Sequence, residues 1–277
     1  MSEYLVEMND ITVQFPGVLA LDHVHFDAKP GEVHVLLGEN GAGKSTIMKV
    51  LAGVNANYEG EIIYKGEKIV SRSIEEQRER GVSIIFQELN QLKNLTVAEN
   101  IFMGRQPTKA GGQIDWKTMN RKARELLDSI HSDISEKAQV SSLSVGQMQM
   151  VEIAKALSFD CDIIIMDEPT SALTEKEVAS LFEIIDGLKK KGVAIVYISH
   201  RLEEIMKIGD RLTIFRDGKY IDTVNVKDIT IDQMVAMMVG REMTDYYPKV
   251  DVKPGEKLLE VTDIRQGDTL KGISFYA

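Results

Sequence analysis

Short apolar runs recur along the chain, each followed by a polar residue or glycine and separated by longer amphipathic segments. They occupy residues 33–37, 82–86, 163–166, 193–198 and 212–215. Short runs rich in β-branched and other apolar residues are typical of strands, and their alternation with helical patterns predicts an α/β fold with a mostly parallel sheet. Ligands of such sheets bind beyond the carboxyl ends of the strands, so the residues after each run are the first candidates for chemistry.

The end of the chain resembles its beginning. LVEMNDI at 5–11 aligns with LLEVTDI at 258–264, and LDHVHF at 21–26 aligns with LKGISF at 270–275. Ile11 and Ile264 are 253 residues apart, which is too long for a solenoid repeat and suits a duplicated domain. The proline-containing stretch YYPKVDVKPGEK, which follows a helical pattern at 231–239, is typical of a linker.

These patterns predict the domain organisation. We expect a first domain over residues 1–247, a linker at 248–257, and the first strands of a truncated second domain at 258–277. Within the first domain, the long insertion between the second and third apolar runs contains the amphipathic segment WKTMNRKARELLDSI. It predicts a helical subdomain at about 88–143.

Composition narrows the functional classes. The 277 residues are 43% apolar, which is enough for a full core, and the formal net charge of −10 argues against nucleic acid as a partner. The lone Cys161 cannot form an internal disulfide, and the acidic opening MSEYLVEMND does not resemble a signal peptide. No apolar run approaches the roughly 20 residues of a membrane span. We therefore expect a cytosolic chain that reaches a membrane only through a partner.

GENGAGKST fits the phosphate-loop pattern GxxxxGK[ST] between a predicted strand and a predicted helix. Its members are Gly38, Glu39, Asn40, Gly41, Ala42, Gly43, Lys44, Ser45 and Thr46. Glycines let the backbone wrap around phosphates, and the following helix start adds its positive end. Lys44 is expected to reach the β- and γ-phosphates, and the Ser45 hydroxyl is expected to bind Mg²⁺. The alternative is a plain glycine-rich turn.

The run at 163–166 ends at two acids, Asp167 and Glu168. A buried strand there brings both carboxylates to the edge of the sheet where the phosphate loop opens. Asp167 is the candidate Mg²⁺ ligand, directly or through water, and Glu168 is the candidate general base for the water that attacks the γ-phosphate. The alternative is that Asp-Glu-Pro caps the next helix.

Gln87 and His200 also follow apolar runs and are predicted to converge on the same crevice. Gln87 can bind the metal or the attacking water, and His200 can donate a hydrogen bond to the γ-phosphate. Taken singly, either is more often ordinary polar surface. Their shared position with Lys44 and Asp167 favours a functional role.

A second anion-binding surface is suggested by the helical pattern LSVGQMQMVEIAKAL, in which Ser144 is a candidate N-cap and Gly146 lies just inside an exposed start. Its apolar face, with Met148, Val151, Ala154 and Leu157, is predicted to be core. Such a surface makes sense if it completes the site of another domain in a head-to-tail pair. A simple N-cap is the competing interpretation.

The chain contains, in order, segments that resemble the Walker A, Q-loop, signature, Walker B, D-loop and H-loop motifs of the ATP-binding cassette (ABC) family. These segments are GENGAGKST, Gln87, LSVGQ, IIIMDEPTSALT, which covers Walker B and the D-loop, and His200. The resemblance runs from Tyr4 to about Met243 and implies a P-loop NTPase fold of ABC type, with a mostly parallel core sheet, an antiparallel β subdomain and a helical subdomain. It also implies that Ser144, Val145, Gly146 and Gln147 bind nucleotide in trans. The cofactors so implied are ATP and Mg²⁺.

The flanking segments FPGVLALDHV, QELNQLKNLTVAENIFMGR and MVGREM resemble the ATP-binding subunits of bacterial importers for ribose, galactose and other monosaccharides. Those subunits carry two cassettes, so the resemblance implies an N-terminal cassette cut just before a second Walker A motif. It further implies that Phe15 stacks on adenine and that residues 87–105 grip a transmembrane permease subunit at the cytoplasmic face of the membrane. A periplasmic or extracellular sugar-binding protein would be an indirect partner.

The chain departs from the commonest family pattern at Val145, where glycine is usual, and at Thr174, where aspartate is usual. The second copy has no aromatic residue at 265–271, so the adenine contact of Phe15 is not repeated there. Two alternative functions remain at this stage. One is a non-transport cassette acting on ribosomes or DNA, which the acidic charge and short linker disfavour; the other is a module that holds ATP without hydrolysing it, which Glu168 and His200 disfavour.

Overall fold

The computed structural model describes residues 3–240, 255–267 and 269–277. Clustering of the chain gives two compact units, Met1–Arg241 and Glu242–Ala277. Most of the predicted linker at 248–257 therefore lies outside the described residues.

The strands of the first unit form two sheets. They are β1 (Val6–Phe15), β2 (Val18–Ala28), β3 (Val33–Leu37), β4 (Glu59–Tyr64), β5 (Glu67–Ile69), β6 (Val82–Ile85), β7 (Ile163–Asp167), β8 (Ala194–Ile198), β9 (Arg211–Arg216) and β10 (Lys219–Asn225). An antiparallel sheet has the order β2-β1-β4-β5, and a six-stranded sheet has the order β10-β9-β3-β8-β7-β6. The second sheet is parallel except for β10, which pairs antiparallel with β9. The predicted mostly parallel core sheet with an antiparallel β subdomain is confirmed.

The core strands are mostly apolar because both faces of the parallel sheet are covered. Neighbours along a strand belong to different hydrophobic clusters: Val35 and Ile164 pack in one, and Leu36 and Ile165 pack in the other. Side chains alternate between the two faces of a strand, so a strand with apolar cover on each side favours apolar residues at successive positions. Inside the strands, the buried polar residues His34 and Thr213 are paired with each other, and the polar residues that line the cavity described below lie at or after strand ends.

The helices are α1 (Lys44–Leu51), α2 (Ile74–Glu79), α3 (Val97–Ile101), α4 (Trp116–Ser129), α5 (Val145–Leu157), α6 (Glu175–Lys190), α7 (Leu202–Ile208) and α8 (Ile231–Val239). Several begin at a side chain that accepts a hydrogen bond from the third helical N–H: Ser73, Thr96, Asp115, Ser144, Thr174 and Thr230. Within the part of the chain that is described, no helix combines the length and the apolar character that a membrane crossing requires.

The helical subdomain is built from α3, α4 and α5, which pack against one another. The group thus extends past the predicted limit at residue 143, because α5 joins it and also touches β6. On α5, Val151 and Ala154 are fully buried, as the apolar pattern predicts. Met148 and Leu157 are only partly buried, because Met150 and Ile153 carry the rest of the buried face.

The second unit contains an antiparallel hairpin of β11 (Glu260–Gln266) and β12 (Leu270–Tyr276). It reproduces the irregularities of the β1–β2 pair. Asp263 takes a left-handed φ of 51°, as Asp10 does at 56°, and Gly272 has φ 82° where its counterpart His23 has φ 49°. A break in register follows Met8 on β1 and the matching Val261 on β11. The sequence repeat is therefore also a repeat of local backbone structure.

Candidate functional site

The loop between β3 and α1 lines an open cavity of about 890 Å³. All nine residues of the predicted phosphate loop, Gly38 to Thr46, contribute to its wall. Gly43 has φ +99°, and a Cβ there would lie 2.5 Å from Leu21 Cδ2 and 2.9 Å from the Ala20 carbonyl oxygen. Only glycine meets both the backbone and the packing requirement at this turn.

Lys44 is buried at the base of the cavity. Its Nζ donates to the carbonyl oxygens of Gly38, at 2.8 Å, and Glu39, at 2.9 Å. An ammonium group has three donors, so one more can go to a phosphate oxygen. Burial lowers the pKa of Lys44, while the carboxylates of Glu168 and Asp167 act in the opposite direction. The loop that would surround a phosphate chain thus also holds the Lys44 ammonium group in position.

Asp167 is the last residue of β7 and is buried beside the loop, with 7% of its surface exposed. Burial raises the pKa of Asp167 and the neighbouring Glu168 adds to that rise, whereas the Ser45 hydroxyl and the charges of Lys49 and Lys44 oppose it. The Ser45 hydroxyl and the Asp167 carboxylate both line the cavity. A hydroxyl and a carboxylate on one cavity wall are a suitable set of oxygen ligands for a hard cation such as Mg²⁺.

Glu168 joins the two other strand-end residues. His200 Nδ1 lies 3.1 Å from Glu168 Oε1, and Gln87 Nε2 donates to Glu168 Oε2 at 3.3 Å. The predicted convergence of Gln87 and His200 on one crevice is observed, since both line the cavity with Asp167 and Glu168. Glu168 has φ +49°, a left-handed conformation that costs a non-glycine residue about 1–3 kcal/mol and is found most often at functional sites.

Two residues that the sequence did not single out also line the cavity. They are Ile198 at the end of β8 and Met238 on α8. Phe15, by contrast, is not among the lining residues; it lies at the end of β1, paired with Val18, and its side chain is 43% exposed. The cavity thus contains the predicted phosphate-binding residues but not Phe15, whose adenine contact stays a prediction.

The signature-like segment lies at the start of α5. Ser144 Oγ accepts from the Gln147 N–H at 3.2 Å, and Gln147 Oε1 accepts from the Ser144 N–H at 2.9 Å, which forms a reciprocal capping box. Val145 between them is 53% exposed. None of these residues lines the phosphate-loop cavity, so within one chain the two predicted anion surfaces are separate.

The predicted exposure of Gly146 is wrong. This glycine is buried, and a Cβ on it would lie 3.0 Å from Glu177 Oε2 and 3.1 Å from the Ala172 carbonyl oxygen. Glu177 Oε2 in turn accepts a hydrogen bond from the hydroxyl of Thr174, which is the N-cap of α6. The alternative in which Asp167 and Glu168 cap that helix is therefore also wrong. Gly146 is small because α5 and the segment before α6 approach closely.

A separate polar cluster, which lies away from this cavity, joins three strands. Asp27, Glu32 and His34 have the spacing of a metal site, but Arg211 Nη1 already pairs with Asp27 at 2.6 Å and with Glu32 at 3.2 Å. Burial acts to raise the pKa of Glu32, but His34, the Lys29 N–H and Arg211 outweigh it and hold that pKa below its ordinary value. A cation is thus already in place, and we assign the cluster a structural role.

The fold and the cavity together define a P-loop NTPase, in which a glycine-rich loop and two strand-end carboxylates share one edge of a parallel sheet. A family model described as "ABC transporter" matches residues 21–171, more than half of the chain. This chain belongs to the ABC transporter family. The resemblance inferred from the sequence motifs is confirmed.

Curated relatives are similar over almost the whole chain. The galactose/methyl galactoside import ATP-binding protein MglA of Clostridium perfringens is 48% identical over 275 residues, covering 99% of this chain and 53% of that protein. The ribose import ATP-binding protein RbsA of the same species is 48% identical, covering 98% and 54%. MglA of Haemophilus influenzae is 46% identical, covering 99% and 54%. The chain spans about half the length of the curated relatives it matches.

Solved structures support the same fold. A nucleotide-free ATP-binding cassette from an ABC transporter has a TM-score of 0.73 at 25% identity, covering 86% of this chain and 95% of that one. The ADP conformation of another ATP-binding cassette has a TM-score of 0.73 at 26% identity, covering 87% of this chain and 100% of that one.

Proposed function

We propose that this chain binds Mg-ATP and hydrolyses it as the first of two cassettes in the ATP-binding subunit of a bacterial monosaccharide importer. The observation that carries the proposal is the meeting of Lys44, Asp167, Glu168, Gln87 and His200 around one cavity. These residues come from four separate strand ends, and a merely structural turn would not need to bring them together.

Binding follows from the loop. Its backbone N–H groups and the start of α1 surround the phosphates, and the third donor of Lys44 bonds a γ-phosphate oxygen. The Ser45 hydroxyl, the Asp167 carboxylate and the Gln87 amide oxygen are the residues that would hold Mg²⁺. When bound, Mg²⁺ neutralises charge on the phosphate oxygens. Stacking of adenine on the exposed ring of Phe15 completes the site.

The proposed hydrolysis step depends on the carboxylate of Glu168. Glu168 takes a proton from water as the water oxygen bonds to the γ-phosphorus, and the bond from that phosphorus to the β–γ bridging oxygen breaks to release ADP. His200 contacts Glu168 at 3.1 Å and is exposed toward the cavity, where it can donate to the γ-phosphate. Because His200 contacts both the γ-phosphate and Glu168 in this arrangement, the position of the Glu168 carboxylate depends on whether a γ-phosphate is present.

The α5 start is proposed to act in trans. Ser144, Val145, Gly146 and Gln147 lie outside the phosphate-loop cavity of their own chain, with Ser144 and Val145 exposed. A helix N-terminus presented in this way suits the γ-phosphate of a nucleotide bound by another cassette. Two cassettes packed head to tail would then hold two nucleotides between them.

We propose that the other cassette is part of the same protein. The β11–β12 hairpin has the register and left-handed positions of β1–β2, and the curated relatives are about twice as long as this chain. Residues 1–247 are then the first cassette, residues 248–257 the linker, and residues 258–277 the first strands of the second. The net charge of −10 gives no support to a nucleic-acid partner.

Transport is proposed from the relatives, which are named as galactose/methyl galactoside and ribose import proteins. A monosaccharide such as ribose or galactose is the proposed cargo. Residues 87–105 are the proposed contact with the transmembrane permease subunits, at the cytoplasmic face of the membrane. A periplasmic or extracellular sugar-binding protein would deliver the cargo to the permease.

The test compares the 277-residue chain with the full-length protein. We expect the chain alone to bind Mg-ATP but to hydrolyse it slowly, because the complementary helix start comes from the other cassette. Mixing it with the separately expressed downstream half should raise phosphate release. Fast hydrolysis by the chain alone, independent of its concentration, would contradict the two-cassette account, and failure to bind ATP would contradict the nucleotide site.

A further inference from the structure

A buried carboxylate lies directly behind the catalytic edge of the sheet. Glu204, on α7, is 8% exposed. Its Oε2 accepts from Thr170 Oγ1 at 3.0 Å, from the Tyr197 hydroxyl at 2.8 Å and from Ser199 Oγ at 3.2 Å. Its Oε1 accepts from Arg201 Nη1 at 3.2 Å. One side chain thus gathers four donors from three segments of the chain.

Two of those donors belong to the loops that carry the reacting groups. Thr170 lies two residues after Glu168, and Ser199 lies directly before His200. The same loops are joined by the Glu168 N–H, which donates to the Ile198 carbonyl oxygen at 3.0 Å. The buried carboxylate is therefore a second bridge between the base and the histidine that contacts it.

Stability alone does not account for a carboxylate in this place. Burying a charge costs free energy that hydrogen bonds offset only when the set of partners is complete, and an apolar group of similar volume is often as stable. Burial and the nearby Glu204 charge raise the pKa of Tyr197, so that hydroxyl stays protonated and can only donate to the carboxylate. All the donors then point at one acceptor, which fixes the side chains that surround it.

We propose that Glu204 is a positioning residue that holds Glu168 and His200 in register for hydrolysis. The proposal rests on the proposed function of the site, to which it adds a residue behind the cavity. Glu204 is not among the residues that line the cavity, and it acts through Thr170 and Ser199. A displacement of about 1 Å at reacting groups can lower a rate by roughly a hundredfold, so loss of this bridge should be visible in turnover.

The direct test is Glu204→Gln in the full-length protein. An amide has one accepting oxygen and a donating NH₂ group. If the NH₂ group faces Arg201, two donors meet; if it faces the three hydroxyls, they lose the oxygen to which they donate and must turn to accept from at most two N–H bonds. We expect turnover to fall about 10- to 100-fold while the KM for ATP changes by about twofold or less, because the phosphate loop is untouched. Glu203→Gln is the matched control, since Glu203 is the exposed neighbour on the same helix, and it should keep normal turnover.

A second pair of variants separates positioning from general loss of packing. Thr170→Val keeps the side-chain shape but removes the bond between Glu204 and the Glu168 loop. Tyr197→Phe also removes one donor, but from the interior of β8 and from neither loop. At similar losses of thermal stability, Thr170→Val should lower turnover and Tyr197→Phe should keep most of it. Equal turnover losses in the two variants would overturn the proposal.

Nitrogen NMR of the His200 ring gives a readout that needs no ATP hydrolysis. The ring signals are assigned by their absence in His200→Ala, and they should move in Glu204→Gln and in Thr170→Val but not in Glu203→Gln. If they move as expected while the wild type hydrolyses no ATP, the proposed function fails and the positioning role stands. If turnover and the His200 signals both stay at wild-type values in Glu204→Gln, the positioning role is wrong. If Glu204→Gln does not fold, turnover and the His200 signals of Thr170→Val decide whether the positioning role is correct.

Discussion

Replacing Glu168 by glutamine tests the assignment of the general base with little structural disturbance. The amide has almost the volume of the carboxylate, and its oxygen can still accept a hydrogen bond from Gln87 Nε2 or face His200 Nδ1. The side chain of His200 is 61% exposed, so loss of the contact between Glu168 and His200 should cost at most about 1 kcal/mol of stability. We therefore expect Glu168→Gln to fold normally.

The expected effect on the rate comes from the chemistry. A positioned general base contributes about 10²- to 10⁴-fold, which corresponds to about 3–5.5 kcal/mol of activation free energy. ATP binding should be kept or tightened, because Lys44 and its loop are unchanged and one negative charge near the triphosphate is gone. The variant should therefore hold ATP and turn it over at least about a hundredfold more slowly.

The assay measures phosphate release by the full-length protein at saturating Mg-ATP, together with equilibrium binding of a fluorescent ATP analogue. Glu203→Gln, the same substitution at an exposed position, provides the control. Turnover within about threefold of wild type, with binding intact, would refute the role of Glu168 or the activity of this site. Loss of binding together with turnover would instead refute the claim that the substitution leaves the phosphate loop unchanged.

Three further predictions concern binding and stability. Lys44→Ala should weaken ATP binding by about tenfold or more, because a charge-assisted hydrogen bond is lost while alanine keeps α1 helical, and isothermal titration calorimetry measures it. Phe15→Ala should weaken ATP binding by about two- to tenfold but leave tripolyphosphate binding unchanged, whereas Val18→Ala should alter neither; equal losses for both ligands would exclude stacking. Glu32 has a lowered pKa, so its contribution to stability is present above about pH 4.5 and is lost as pH falls through the lowered value. In urea unfolding curves measured at several pH values, Glu32→Gln should reduce this loss of stability at acid pH, and Glu67→Gln, at an exposed position, should not.

Much of the fold and site could be predicted because both follow from local sequence. The strand β3 and the helix α8 have the predicted limits, since an apolar run between turn residues or capping residues fixes each end within a few positions. The phosphate loop is continuous in sequence, so its residues needed no tertiary contact to be recognised. Gln87, Asp167, Glu168 and His200 required only the rule that parallel strands end at one edge.

The rest depends on contacts between segments far apart in sequence. Gly146 was expected to be exposed, but its burial is decided by Glu177 on another helix. Glu204 and Thr170 are separated by 34 residues, and an acidic residue in an amphipathic helix gives no sign that it points inward. Met238 on α8 reaches the cavity from the end of the first unit and looks like any apolar helix position.

We propose that the strand ends around Lys44 hold a triphosphate and that the helix start of another cassette covers it. A structure of the full-length protein with Mg²⁺ and a non-hydrolysable ATP analogue measures this most directly. We expect the γ-phosphate to lie between Lys44 Nζ and Glu168, with Ser45 and Asp167 bound to the metal and a helix start from the second cassette against the phosphate. A triphosphate bound anywhere else would contradict it.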